Sequence, residues 1–288
     1  MMKISDFKRK KGKKLTVSDI FFRVFLWGYA VISLYPLIWM LLYSFKNNDE
    51  IFVSNPFGLP KVFRVENYVK AWSQYDVPTY FLNSLIVAVA TVCITIVFAL
   101  MFSYATSRMR WKGRYVARIY IALGMFIPVQ AVLIPVAKVV QGLGLTGTHW
   151  ALILPYSAFN LAFATMVFYG FFLSLPVELE EAACIDGANI FQAFFIIIVP
   201  CVKPVTATLA VFTFLNSWNE FILANVLVIE QELKTLPLGI LFFQGQFTTD
   251  WGAMGATMVI ASIPTIFVYI LFSNQVENAL TMGGGVKG

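Results

Sequence analysis

Apolar residues along this chain fall into six long runs separated by more polar connections. About 20 mostly apolar residues in a helix are needed to cross the hydrocarbon core of a membrane. We therefore predict six transmembrane helices, at about residues 20–43, 80–105, 115–140, 150–173, 202–229 and 253–272. Pro128 and Pro135 interrupt the third run, which predicts a break in that helix.

Composition supports an all-α membrane protein. Hydrophobic residues make up 59% of the 288-residue chain and charged residues only 12%, too few to cover the surface of a soluble domain. The net charge is +6, but the basic residues cluster at the ends of apolar runs, so a nucleic-acid partner is not expected. Three cysteines are too few and badly placed for a disulfide framework, and the single His149 is interpreted as a solvated loop residue rather than a metal ligand.

The distribution of Lys and Arg predicts the orientation. They are concentrated in the N-terminal segment, residues 1–19, and in the turn between the second and third runs, so both should be cytoplasmic. The 44–79 segment and the 229–252 loop carry few basic residues for their length and should face outward. Six crossings then place the tail, residues 274–288, inside, so that both termini are cytoplasmic. The first run is too long for a cleaved signal peptide, and no small-residue cleavage site follows it.

One predicted inner loop, residues 176–204, breaks this trend because it is acidic. Its acids are Glu178, Glu180, Glu181 and Asp186. Pro176 suits the first turn of a helix, acids suit the positive N-terminal end, and Gly187 can adopt the left-handed conformation that ends a helix. We predict a short surface helix, a turn, and an apolar segment that leads back to the membrane. Interfacial helices that meet anionic lipid usually carry Lys or Arg, so this helix should face a protein.

The spacing of Glu181-Ala-Ala, Gly187, Ile197 and Val199-Pro200 resembles the EAA loop of permease subunits of bacterial ABC importers, with Val199 in place of the usual Leu. Three further segments, Leu82-Asn-Ser, Trp218-Asn-Glu-Phe and residues 277–288, resemble parts of MalG-like permeases of carbohydrate importers. The resemblance covers nearly the whole chain. It implies a type I ABC importer permease fold, with a core at residues 80–273 and a cytoplasmic coupling helix.

The same resemblance implies a set of partners in the bacterial cell membrane. They are a second, MalF-like permease, a dimeric cytoplasmic ATPase, an extracytoplasmic solute-binding protein, a carbohydrate substrate and membrane lipid. The chain has no G-x-x-x-x-G-K-[ST] loop, so movement must come from the ATPase, which would use ATP and Mg. No catalytic residue, metal site or cofactor is predicted in the chain itself. The residues implied to meet the ATPase are Glu181, Ala182, Ala183, Asp186 and Gly187.

Polar residues inside membrane spans are candidates for the translocation pathway. In the fifth run these are Asn216, Asn219 and Glu220. Glu220 lies about 24 Å beyond Pro204 if the helix is continuous, which is deep in the membrane. Either it lines the pathway or it is hydrogen-bonded between helices and serves packing. The tail glycines Gly283, Gly284 and Gly285 are either a frayed end or, as the resemblance implies, part of a peptide that inserts between the ATPase subunits.

Other functions were weighed against a sugar permease. A permease for another small polar solute, such as a glycerol phosphate or a polyol, fits the same sequence features. A membrane enzyme is less favoured because no nucleophile–base or metal constellation lies near a membrane face. A receptor is less favoured because the chain has no sizeable extramembrane domain. The 46–78 segment is expected to form an ordered external loop that meets the binding protein.

Overall fold

The computed structural model describes residues 17–243 and 249–283, with side chains placed as far as Ser273 except at Val17 and Asp19. The first sixteen residues, which hold most of the basic N-terminal segment, and Gly284 and Gly285 lie outside the described residues. The helices are α1 (Val17–Tyr43), α2 (Glu66–Ser73), α3 (Val77–Ser107), α4 (Arg114–Leu123), α5 (Leu133–Gly142), α6 (Trp150–Ser174), α7 (Glu178–Ile185), α8 (Ile190–Cys201), α9 (Lys203–Trp218), α10 (Ile222–Leu227), α11 (Leu236–Gly239) and α12 (Trp251–Gly283).

Four of the predicted spans are single helices of membrane-crossing length within the described part of the chain. They are Ile20–Tyr43, Val77–Ser107, Trp150–Ser174 and Trp251–Ser273. The last of these continues as helix to Gly283, about ten residues past the predicted end at 272. Its apolar pattern ends where predicted, but nothing in the local sequence stops helical hydrogen bonding there before the glycines.

The third predicted span is bent, and a second bend lies at the start of the fifth. Arg114–Phe126 and Val129–Gly142 meet at 98°, and the break is at Pro128 as predicted. Pro135 does not break the helix, because it lies in the first turn of α5, where its missing N–H needs no partner. At the start of the fifth predicted span, 202–229, the preceding helix Ile190–Cys201 meets Lys203–Trp218 at 73°. Six crossings therefore require each bent pair to count as one span.

The bundle is built around α3, which packs along α6 and α9, while α9 packs against α12. Most buried positions on α3 are small, so the neighbouring helices approach closely. These small residues include Ser84, Ala88, Thr91, Thr95, Ala99 and Ser103. Ser103 Oγ donates a hydrogen bond to the carbonyl of Thr165 in α6 at 2.8 Å, which fixes the two helices at that level.

Helix α1 differs from the others because most of its apolar side chains remain exposed and it meets the rest of the described chain mainly along α12. The segment that follows it, residues 44–79, folds over the end of the bundle formed by the start of α12. Lys46 is only 2% exposed, and its Nζ donates to the carbonyls of Asn55 and Gly58, each at 2.7 Å. Lys70 forms an ion pair of 3.2 Å with Asp250, which ties the segment to α12.

Candidate functional site: the coupling helix and the broken fifth span

The acidic segment forms the short helix that its sequence predicts. Val177 is the N-cap, and its carbonyl accepts hydrogen bonds from the N–H groups of Glu180 and Glu181. The sequence had suggested that Pro176 lies in the first turn of this helix. It lies instead just before the N-cap. At the other end Gly187 has φ +84°, and Ala188 N–H donates to the Ala183 carbonyl at 2.9 Å. Gly187 N–H donates to the Cys184 carbonyl, and the two bonds together form a Schellman motif. Gly187 thus ends the helix in the left-handed conformation that the sequence predicts.

The five predicted coupling residues do not all lie on a free surface. Glu181, Ala182, Asp186 and Gly187 are exposed, so α7 presents these residues outward. Ala183 is 3% exposed and packs within the chain. In this conformation Ala183 cannot touch another protein, and its small side chain instead lets α7 sit close to the bundle. The predicted contact set thus divides into four surface residues and one packing residue.

Glu180, which was not among the predicted coupling residues, has the most specific contacts on α7. Its Oε1 is 3.4 Å from Arg108 Nε, an ion pair without hydrogen-bond geometry, and its Oε2 accepts from the Tyr104 hydroxyl at 3.2 Å. Arg108 Nη2 also donates to the carbonyls of Phe172 and Leu175 at 2.5 and 2.6 Å. Sequence reasoning counted Arg108 only as a topology charge. Its partners are far away along the chain, so no spacing pattern could have found them.

The segment after the turn anchors α7 to the core. Asn189 Oδ1 accepts from Gln192 N–H at 2.9 Å, and Gln192 Oε1 accepts from Asn189 N–H at 2.8 Å, which makes a capping box at the start of α8. The Asn-x-x-Gln spacing before an apolar run is a sequence signal for this cap and was missed. Farther along α8, Phe194 and Ile198 are buried, and the Phe194 ring lies 4.7 Å from the Tyr104 ring.

The fifth predicted span, 202–229, is broken at Glu220, although the stretch from Pro204 on which its predicted depth depends is one helix as far as Trp218. Helix α9 ends at Trp218 and α10 begins at Ile222. Glu220 Oε1 accepts from Leu223 N–H at 2.8 Å and Oε2 from Ala224 N–H at 3.1 Å. The first N–H groups of a helix have no acceptor within that helix, and the Glu220 carboxylate provides the acceptors for two of these groups in α10. Tyr156 of α6 also donates its hydroxyl to Glu220.

One protein family matches most of the chain. The family described as "binding-protein-dependent transport system inner membrane component" matches residues 96–281. The chain belongs to this family. It is therefore an inner-membrane permease subunit of an ABC importer, as the resemblance of the EAA loop implied.

Similar proteins span nearly the full length of this permease. It is 36% identical to the probable ABC transporter permease protein YurM of Bacillus subtilis over 281 residues, covering 98% of this chain and 93% of the relative. It is 34% identical to the trehalose/maltose transport system permease protein MalG of Thermococcus litoralis, covering 90% and 93%. A chain of a bacterial ABC transporter that imports the polysaccharide alginate superposes with a TM-score of 0.78 at 25% identity, covering 91% of this chain and 99% of that one.

Within the permease, the Leu82-Asn83-Ser84 segment joins helices and loops at one end of the bundle. Asn83 Nδ2 donates to the carbonyls of residues 232 and 234 at 2.7 and 3.0 Å, and Ser84 Oγ accepts from Leu236 N–H at 2.8 Å. His149 Nε2 lies 2.8 Å from Asn83 Oδ1 and the residue is half-buried. His149 lies in the connection before α6, as interpreted, but its side chain is not freely solvated, because tertiary packing brings it to Asn83.

The three predicted pathway residues of the permease lie together, but each is engaged within the chain. Asn216 Nδ2 donates to Asn160 Oδ1 of α6 at 3.2 Å, and Asn219 Nδ2 donates to the Leu215 carbonyl at 2.8 Å. Both amides are exposed, whereas Glu220 is half-buried at the helix break. Two polar contacts thus connect α6 to the fifth span, and both asparagines remain accessible. Of the three predicted tail contacts, Gly283 is the last residue of α12 and the other two lie outside the described residues.

Proposed function

We propose that this permease forms half of the translocation pathway of an ATP-driven importer of sugars or oligosaccharides and is moved by a cytoplasmic ATPase that grips α7. One observation carries the proposal. A short acidic helix presents Glu181, Ala182 and Asp186 outward while its opposite face is fixed to the ends of membrane-spanning helices. Such a helix can seat in a cleft of another protein and pass its movement to the spans, the general form of alternating access.

The names of similar proteins support a carbohydrate cargo. They include the diacetylchitobiose uptake permease NgcG of Streptomyces coelicolor, 36% identical over 90% of this chain, together with the trehalose/maltose and alginate systems. The exposed amides of Asn216 and Asn219 are groups that can donate to and accept from sugar hydroxyls. We assign both to the wall of the pathway. Glu220 serves to cap α10, since its oxygens are already used by Leu223, Ala224 and Tyr156.

Orientation and partners follow from the same arrangement. We place α7 and both termini in the cytoplasm, with ATP and Mg bound by the ATPase, and the 44–79 segment outside, where it meets the solute-binding protein. A second, MalF-like permease completes the pathway.

Charge reversal at Glu181 tests the proposed docking. In the complete transporter reconstituted in liposomes, Glu181→Arg should leave the subunit inserted but weaken ATPase association and reduce ATP-driven uptake roughly tenfold, the effect of about 1.4 kcal/mol. Uptake is measured with radiolabelled maltose, trehalose and diacetylchitobiose. Lys112→Glu is the matched control, since Lys112 is exposed in the neighbouring α3–α4 connection. Normal ATPase association and ATP hydrolysis in the Glu181→Arg transporter would exclude docking through this residue.

A further inference from the structure

The ends of three helices meet at Arg108. The residue is the C-cap of α3, where its N–H donates to the Tyr104 carbonyl at 2.9 Å. Its guanidinium reaches the carbonyls of Phe172 and Leu175 at the end of α6 and Glu180 in the first turn of α7. The Arg108 and Glu180 side chains are 9% and 19% exposed, so water screens their interaction little. A single side chain therefore links two membrane-spanning helices to the exposed acidic helix.

The charges at this meeting point match the helix ends. The carbonyls at the C-terminal end of α6 form its negative end, which favours a cation, and the Phe172 carbonyl otherwise accepts only a long bond of 3.3 Å from the N–H of the C-cap Leu175. The N-terminal end of α7 is positive and favours the carboxylate of Glu180. The guanidinium is a planar fork of several donors, so it can serve the α6 carbonyls with one nitrogen and face Glu180 with another. A lysine ammonium in its place carries the charge but not this geometry.

Tyr104, one turn before Arg108 on α3, extends the link to the segment after α7. Its hydroxyl donates to Glu180 Oε2 at 3.2 Å, and its ring lies 5.9 Å from Phe172 and 4.7 Å from Phe194. Tyr104 is itself 6% exposed. Both sides of the turn at Gly187 are thus attached to the same end of α3: α7 through Glu180, and α8 through Phe194.

We propose that the junction formed by Arg108, Tyr104 and Glu180 is the rigid connection through which movement of α7 enters the membrane-spanning core, with Arg108 as the positioning residue for coupling. This rests on the proposed function, in which the ATPase grips α7. Without the junction, α7 is tethered by its two short connections and its packing on α8, and it can tilt while α3 and α6 stay still. With the junction intact, the three helices move as one body, which is a physical basis for coupling between two sites.

Native cysteines on α3 and α7 allow the distance between these two helices to be measured. Cys93 lies on α3 and Cys184 on α7, and both are exposed. In a Cys201→Ser background of the complete transporter, spin labels at the two positions report the α3–α7 distance by pulsed electron resonance. In the parent the distance distribution should be narrow and the same in nucleotide-free and ATP–vanadate-trapped complexes. In Arg108→Gln it should broaden or shift on trapping, and uptake of labelled maltose, trehalose or diacetylchitobiose should fall roughly tenfold although ATP is still hydrolysed.

Further variants separate this role from simple stability. Arg108→Lys should retain more uptake than Arg108→Gln. The double variant Arg108→Gln/Glu180→Gln should be no worse than Arg108→Gln alone, because each substitution removes the same Arg108–Glu180 ion pair. Arg110→Gln, an exposed charge two residues away, should behave as the parent. A distance unchanged by trapping in Arg108→Gln, or additive losses in the double variant, would overturn the proposal. Docking is read separately, from the mobility of the spin label at Cys184 in the parent: if this mobility is the same with and without the ATPase, docking itself fails.

Discussion

Substitution of Gly187 distinguishes the backbone conformation needed at the end of α7 from the side-chain surface that α7 presents to a partner. Gly187 has φ +84°, a left-handed conformation that side chains of L-residues disfavour. A Cβ placed there meets no atom of this chain within 4 Å, so the chain itself imposes no steric penalty. The effect of a substitution on the folded subunit should therefore come from the backbone alone. We predict that stability of the α7–α8 turn falls in the order Gly, Asn, Ala, Val.

The magnitudes follow from the cost of the left-handed conformation. An L-residue there costs about 1–2 kcal/mol, asparagine costs least, and a β-branched residue costs most. We expect about 0.5 kcal/mol for Gly187→Asn, about 1 for Gly187→Ala and about 2 for Gly187→Val. One to two kcal/mol corresponds to a factor of about 5–30 in an equilibrium between formed and opened turn. Uptake should fall in the same order as the formed turn is lost.

Amide hydrogen exchange of the peptide that spans α7 and the turn measures the opening directly. The N–H groups of Gly187 and Ala188 are bonded only while the turn is formed, so their protection reports its population. Gly170→Ala is the matched control, since Gly170 also has no atom within 4 Å of an added Cβ but lies inside α6 with ordinary helical backbone. That variant should be neutral or stabilised by about 0.5–1 kcal/mol.

The order of these effects decides whether Gly187 is needed for its left-handed backbone or for the space that its missing side chain leaves to a partner. If Gly187→Asn impairs uptake as much as Gly187→Val, the size of the side chain against a partner matters, not the backbone. If Gly187→Val exchanges its amides at the parent rate, the left-handed turn does not stabilise the end of α7. Either result would refute the reasoning from backbone conformation.

Two further predictions concern charged side chains that bond to the backbone elsewhere in the permease. Lys46→Met leaves the carbonyls of Asn55 and Gly58 without their donor. It should lower the unfolding free energy by about 2–4 kcal/mol and expose the 44–79 segment to proteolysis; unchanged cleavage would contradict the role of Lys46. Glu220→Ala removes the acceptor of two backbone N–H groups and should cost about 2–4 kcal/mol, with Glu220→Gln costing about half as much. Thermal unfolding of the purified complex measures both, and an Ala variant as stable as the parent would show that α10 does not need this cap.

Much of the coupling site follows from local sequence. The end of α7 at Gly187 and the acids in its first turn depend on residues within one or two helical turns, so they could be predicted without a tertiary structure. The cap at Asn189 was equally local, since the Asn-x-x-Gln spacing was present and only overlooked. Which face of α7 is free was not predictable, because the burial of Ala183 depends on how α7 packs against the bundle.

The break in the fifth span shows where local reasoning ends. The apolar run from 202 to 229 looks like one helix, and hydropathy cannot distinguish a straight span from a broken one. The break at Glu220 persists because the carboxylate caps α10 and receives the Tyr156 hydroxyl from α6. That second partner is 64 residues away along the chain, so only the packing of α6 against the fifth span brings it near. The same applies to His149 and Asn83.

The sequence by itself determined the membrane class, the helices of spanning length and the position of α7, because apolar length, turn chemistry and capping are local properties. Only the tertiary structure decided what each polar residue does. The sequence identified Arg108 only as a topology charge, and packing of α3, α6 and α7 gave it its partners. The sequence identified Glu220 as a candidate pathway residue, and the structure showed that its oxygens bond to the start of α10 and to Tyr156. The physical reason is that a polar group in an apolar bundle must find a partner, and that partner is set by packing between helices rather than by neighbours in the chain.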